Sequence, residues 1–185
     1  MTNLILDSVE IEPLSKSKPK QAIILCHGYV GDGKDISTLA IHWQRFLPDA
    51  IFLCPTAPEV CSINPQGYQW FDLTKEDPEY ILEQSKIAEI KLQKFITEVK
   101  KEYNLENSQI CLSGFSQGCM MSINLGLVNK ENYNCIVGFS GKVINQKDLI
   151  KRKTSSTKML LMHGNLDTVV SPSFLLEAKD FLIRN

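Results

Sequence analysis

Residues 113–120 read SGFSQGCM, with a serine, Ser116, between Gly114 and Gly118. A serine hydroxyl is a poor nucleophile until a neighbouring base takes its proton, so the pattern points to nucleophilic catalysis and calls for a base. The apolar run before Ser116 and the helical run after it predict a strand, a tight turn with the serine at its apex, and a helix. Small residues two before and two after let strand and helix approach closely. The start of that helix aims backbone N–H groups at the turn, which makes the amide of Gln117 a donor for a developing oxyanion. A second donor is expected from the glycine-rich turn in LCHGYVGDGKD (25–35), at the amide of Tyr29. The same glycines could cradle a phosphate, but the Gly-Lys-Ser/Thr ending of a phosphate-binding loop is absent.

The chain has three histidines to offer as the base. His27 and His163 each precede a glycine at the end of an apolar run, where a buried, hydrogen-bonded ring is expected. His42, in LAIHWQRF, lies on a helical stretch that packs on a sheet face rather than at a catalytic edge. Asp167, in HGNLDTVV, follows an apolar run at the place where ligands bind in open α/β sheets, beyond the carboxyl ends of the strands. Its structural alternative is a turn residue or a helix cap.

The elements that must hold these residues alternate. Short β-branched runs at 21–27, 50–55, 108–114, 133–140 and 157–164 predict strands, and helical patterns fall between them, the mark of a parallel sheet covered by helices. Helices are expected near 34–47, within 79–103, over 117–128 and over 171–184. Leu92, Phe95, Ile96, Val99 and Tyr103 recur at helical spacing and should face the sheet. Residues 56–78, polar and rich in proline and aromatics, are expected to form either an ordered functional loop or a flexible one.

At 185 residues with a formal net charge of −1, 43% hydrophobic and 22% charged, the composition is that of one globular domain without the basic excess that nucleic-acid binding demands. No run approaches a membrane span and no export signal opens the chain, which predicts the cytoplasm. The six cysteines lack metal-site spacing and four lie in apolar runs, so free buried thiols are expected, and no metal or other cofactor.

The ordered set HGYVGDG, CPTAP, WFDL, SGFSQGCM and HGNLDTVVSP, spread over residues 20–175, resembles the phospholipase/carboxylesterase family of α/β-hydrolases, which includes acyl-protein thioesterases. The resemblance implies an α/β-hydrolase-type, mainly parallel sheet with helices on both faces. It implies Ser116 as nucleophile, Asp167 as the acid of its triad, the amides of Tyr29 and Gln117 as the oxyanion hole, and Trp70, Phe71 and Asp72 in the loop beside the acyl pocket. The implied substrate is a small-molecule or acylated ester or thioester, cleaved through an acyl-serine. Dienelactone-type hydrolases, which use a cysteine nucleophile, fit Ser116 and WFDL less well.

In this fold the triad histidine follows the acid along the chain, and no histidine follows His163. The family's pattern would continue beyond 171–184 into a further strand, a Gly-His loop and a closing helix. The expectation is therefore one α/β-hydrolase domain over 1–185, incomplete at its C-terminus with the last strand and helix missing, and either a very weak hydrolase or a non-catalytic remnant that keeps an acyl-binding pocket. The 157–164 strand is then expected at a sheet edge, open to self-association.

Overall fold

The computed structural model describes residues 4–185. Six strands, β1 (Ser8–Ile11), β2 (Gln21–Cys26), β3 (Ala50–Pro55), β6 (Ile110–Phe115), β7 (Cys135–Phe139) and β8 (Met159–Met162), form one sheet; β4 (Glu59–Cys61) and β5 (Asn64–Gln69) form a separate antiparallel hairpin. The order across the sheet is β1-β3-β2-β6-β7-β8, with β1 antiparallel to β3 and every other neighbouring pair parallel. This is the mainly parallel sheet expected from the alternating runs. The central strands are buried on both faces, which is why AIILC and AIFLC read as unbroken apolar stretches rather than alternating ones.

Five helices cover the sheet. α2 (Pro78–Tyr103) starts at Asp77, whose carboxylate accepts from the Tyr80 amide at 2.8 Å, with Pro78 in the first turn, and it stops at Asn104 in the left-handed conformation. Its buried stripe of Leu92, Phe95, Ile96 and Val99 packs into the main core with α3 (Gln117–Val128). α3 is buried almost all round, as a helix at the centre of a domain must be. α4 (Gln146–Arg152) and α5 (Ser173–Arg184) close over α3 through Leu149, Ala178 and Phe181. On the opposite face α1 (Gly33–Trp43), capped by Asp32, packs Ile36 and Ala40 onto Ile23, Leu25 and Phe52. Beyond α1 that face opens into an apolar groove of about 510 Å³ over Ile23, Cys111, Cys135, Val137 and Phe139. β8 is the outer strand on that side among the described residues, with Leu160 and Met162 exposed. No helix among the described residues is long and apolar enough to cross a membrane.

Three elements were not expected. β1 is four residues long and gains its pairing from β3 alone, α4 is seven residues, and the β4–β5 hairpin stands within the 56–78 segment, which takes the ordered of its two expected alternatives. The hairpin sequence NPQGYQ has little intrinsic strand preference. Contacts from outside hold it: Val30 donates to the Tyr68 carbonyl and Tyr68 to that of Gly31, each at 3.0 Å.

The step from β6 to α3 is where backbones touch. A Cβ on Gly114 would run into the backbone of Gly118, and one on Gly118 into the carbonyls of Cys26 and His27 at the end of β2. Neither obstacle is a side chain that could swing aside. Gly118→Ala is therefore expected to lower unfolding stability by about 3 kcal/mol or more. Gly164→Ala, whose added carbon meets nothing within 4 Å, is expected to stay within about 0.5 kcal/mol of the parent. Chemical denaturation of the two variants checks the contrast.

Candidate active site

Ser116 sits at the tip of the β6–α3 turn with φ 51° and ψ −114°. For a residue with a side chain this conformation costs about 1–3 kcal/mol, and surrounding structure must impose it. Two bonds do so: the Ser116 amide donates to the Phe139 carbonyl at 2.8 Å, and the Ser116 carbonyl accepts from the Met120 amide at 3.1 Å. The Ser116 side chain does not cap α3, which leaves its half-exposed hydroxyl uncommitted to the helix. The first amides of α3, beginning with Gln117, have no intrahelical acceptor and face the turn.

The 28–31 turn lies against this tip. A Cβ on Gly28 would stand 3.4 Å from the Ser116 Cβ. Gly31 donates to the Gly28 carbonyl at 3.1 Å, and Val30, a β-branched residue, takes φ 73° at the turn's third position, where glycine is usual. The β5 strand clamps the turn from outside, and Gly67 must be glycine because a Cβ there would strike the Val30 carbonyl. The Tyr29 amide donates to nothing among the described residues, so both amides expected to form an oxyanion hole are free of internal acceptors. Burial, aided by Cys61, pushes the Tyr29 phenol up to about 12, which keeps it neutral.

Trp70, Phe71 and Asp72 do not line open space. Trp70 and Phe71 have no exposed surface, and their backbone is bound by the side chain of Gln117: its Oε1 accepts from the Trp70 amide at 2.8 Å and its Nε2 donates to the Phe71 carbonyl at 2.6 Å. The Trp70 indole N–H donates to the His27 carbonyl at 3.0 Å. Gln117 thus has two attachments, its amide at the elbow and its side chain in the wall behind it. The second was not legible in the sequence, since a glutamine side chain gives no hint of which distant backbone it will satisfy. Asp72 accepts from the Thr74 hydroxyl at 2.6 Å, the Thr74 amide at 3.0 Å and the Tyr80 hydroxyl at 2.8 Å, and these bonds, the Thr74 hydroxyl foremost, hold its carboxyl down to about 2.

Asp167 lies in the loop after β8. Its Oδ1 accepts from the amides of Val170 at 2.9 Å and Val169 at 3.0 Å, and its Oδ2 is 3.5 Å from His163 Nε2. The two amides, with smaller help from the Ser140 hydroxyl and His163, hold its carboxyl below the usual range, so it is ionised at neutral pH. Ser140 directly follows Phe139, whose carbonyl holds the Ser116 amide, so Asp167 belongs to the same end of the sheet as the elbow. At that end of the sheet an open cleft of about 420 Å³ is lined by Leu39 and Trp43 of α1 with Phe115, Phe139, Met162 and His163.

None of the three histidines is hydrogen-bonded to Ser116 among the described residues. His27 is buried; its Nδ1–H donates to the Gly28 carbonyl at 2.7 Å and its Nε2 accepts from the Ala57 amide at 2.9 Å, an arrangement only the neutral ring can make. Burial lowers its pKa accordingly. His42 donates to the Thr38 carbonyl on the exposed side of α1. His163 Nε2–H donates to the Val170 carbonyl at 2.8 Å, and its Nδ1 is buried without a partner. Among the described residues no cluster of three or more His, Cys, Asp or Glu is placed to hold a metal ion.

A serine on a strained strand-to-helix turn, two unengaged amides beside it and an ionised carboxylate at the same sheet end make the geometry of an acyl-transfer site. The sequence profile described as Phospholipase/Carboxylesterase matches residues 7–185. The chain belongs to the phospholipase/carboxylesterase family. It is similar to acyl-protein thioesterase 1 of Emericella nidulans, with 27% identity over 176 residues covering 85% of this chain and 73% of the relative. It is also similar to the esterase YpfH of Escherichia coli, 26% identical over 175 residues covering 91% and 72%. Among solved structures, esterase PE8 superposes with a TM-score of 0.91 at 34% identity, over 97% of this chain and 84% of that one. The carboxylesterase of Bacillus cereus, at 19% identity and a TM-score of 0.76 over 98% and 81%, shares the fold.

Two outcomes are expected of this family member's site. Ser116→Gly relieves the positive φ and should raise stability by about 1 kcal/mol, while Ser116→Ala, which keeps the strain, should not; paired denaturation curves decide it. Asp72 has a folded pKa below its unfolded value near 3.9, so the unfolded chain binds protons more readily there and stability falls as pH falls. Its contribution is complete above about pH 4 and is lost as pH drops toward 2. Asp72→Asn should flatten the slope of Tm against pH in that window.

Proposed function

We propose that this chain attacks acyl esters or thioesters through Ser116, forming an acyl-serine that water then hydrolyses. The observation that carries the reading is the pairing of a strained, uncapped Ser116 with two amides, Tyr29 and Gln117, that have no other acceptor. Attack of Oγ on the carbonyl carbon puts negative charge on the carbonyl oxygen, and donors fixed in advance stabilise that charge without reorganising. The alcohol or thiol then leaves, taking a proton, and the acyl-enzyme remains. The open cleft beside the elbow, apolar through Phe115, Phe139 and Met162, suits an acyl chain, and the named relatives, a thioesterase and an esterase, fit both leaving groups. Trp70 and Phe71 act from behind, as the wall that keeps the Gln117 amide in place.

Asp167 is the acid of the site, ionised and aimed by its bonds to the Val169 and Val170 amides. Among the described residues no histidine is hydrogen-bonded to Ser116, and the ring nearest Asp167, His163, gives its Nε2–H to the Val170 carbonyl. Removing the histidine of such a triad typically costs about 10⁶-fold in kcat, with roughly 10³-fold over water surviving from oxyanion donors and binding. A site that relied on oxyanion donors without a histidine base would therefore be a slow hydrolase.

Hydrolysis of a short-chain activated ester and of the matching thioester tests this, with Ser116→Ala and His163→Ala beside the parent. The expected outcome is slow turnover that Ser116→Ala abolishes and His163→Ala leaves unchanged. Turnover at about 1 s⁻¹ or faster that disappears in His163→Ala, with the fold intact, would overturn the assignment of His163 as structural. Acyl binding with no Ser116-dependent turnover at all would favour the non-catalytic alternative, in which the pocket alone is retained.

A further inference from the structure

Cys111 on β6 and Cys135 on β7 are register partners in adjacent parallel strands. Register partners project to the same face of a sheet, and neighbouring strands lie about 4.8 Å apart, inside the Cα separation of about 4.4–6.8 Å that a disulfide spans. Both line the apolar groove on the face beyond α1. Cys135 is partly exposed there, whereas the other five cysteines are buried. We propose that Cys111 and Cys135 form a peroxide-reactive dithiol, with Cys135 as the attacking thiol and Cys111 as the one that resolves it.

The two thiols are unequal. The Cys111 S–H donates to the Leu112 carbonyl at 3.7 Å, while the neighbouring Cys111 thiol holds Cys135 below its ordinary pKa and Cys135, with burial, pushes Cys111 above its own. The thiolate is the reactive form, so the exposed member is also the activated one. The chemistry closes with a peroxide as the only co-reactant. The Cys135 thiolate attacks one peroxide oxygen, the O–O bond breaks, and a sulfenic acid forms as hydroxide leaves and becomes water. Cys111 sulfur then attacks the Cys135 sulfur, its proton going to the departing hydroxyl as a second water. Two electrons pass from the thiol pair to the peroxide, and one S–S bond replaces two S–H bonds. The cross-link would join the two strands whose far ends hold Ser116, through the Ser116 amide and the Phe139 carbonyl. Cys26, Cys54 and Cys119 lack both properties: burial raises their pKa.

The test treats the reduced full chain with hydrogen peroxide and follows free thiols, intact mass and disulfide-linked peptides. The expected product is a monomer lighter by two hydrogens, with two of its six thiols lost and residues 111 and 135 in one linked peptide pair. In Cys111→Ala the reaction should stop at a Cys135 sulfenic acid, trapped by dimedone. Alkylation of Cys135 by iodoacetamide at pH 7 should also slow once the neighbouring Cys111 thiol is gone. A first-formed link between other cysteines or between chains overturns the proposal. So does a parent chain that keeps all six thiols while free cysteine in the same solution is oxidised, or a Cys135 whose alkylation rate ignores Cys111→Ala. The peptide map on the parent protein decides even if a variant fails to fold.

Discussion

The close approach of α3 to the end of β2 is the constraint on which the rest of the structure turns. Gly114 backs onto Gly118, and Gly118 onto the carbonyls of Cys26 and His27, so a strand, a helix and a neighbouring strand meet with no side chain between them. That contact sets the angle at which the helix leaves the turn and forces Ser116 into a backbone conformation it would not choose. It also brings the Gly28 turn against Ser116, since Gly28 follows directly on the carbonyls that Gly118 touches. The placement of Ser116 and of the 28–31 turn therefore shares one origin in backbone packing.

Around that contact the polar groups are spent on holding loops rather than on chemistry. His27 brackets the ends of β2 and β3 with both ring nitrogens, and its carbonyl takes the Trp70 indole; Gln117 ties the 70–71 backbone to the helix start. Buried donors and acceptors left without partners cost about 1–3 kcal/mol each, so these side chains stabilise the site by completing hydrogen bonds that the hairpin's own residues cannot make. The Nδ1 of His163 and both side-chain polar atoms of Asn124 on α3 are buried without such partners.

What could be seen in the sequence followed from period and spacing. The five apolar runs became parallel strands because buried strands carry continuous β-branched stretches, and 117–128 was a helix to the residue because strand, serine turn and helix are locally coupled. The glycines around Ser116 were legible for the same reason: their need is set by neighbours in the chain. Where the determining contact comes from far away, the sequence is silent. β1 exists because β3 offers an edge, the hairpin because Val30 and Gly31 pair with Tyr68, and Trp70 and Phe71 are interior because Gln117, almost fifty positions on, satisfies their backbone. The motif WFDL marked the segment, yet the burial of Trp70 and Phe71 could not be read from it.

The strand order also governs when the site can come into being. β6 hydrogen-bonds to β2 on one side and β7 on the other, with Ala22 opposite Ile110. Between those two residues lie α1, β3, the hairpin and all of α2, so the ends of a long loop must find each other before the turn at Ser116 has anything to press against. Long-range parallel pairing of this kind is slow, because chain entropy is lost before contacts reward it. The helices can flicker into shape early, but the strained serine cannot precede the pairing that strains it. The strained geometry at Ser116 is thus among the last things this chain acquires as it folds, and a half-folded chain carries a relaxed serine.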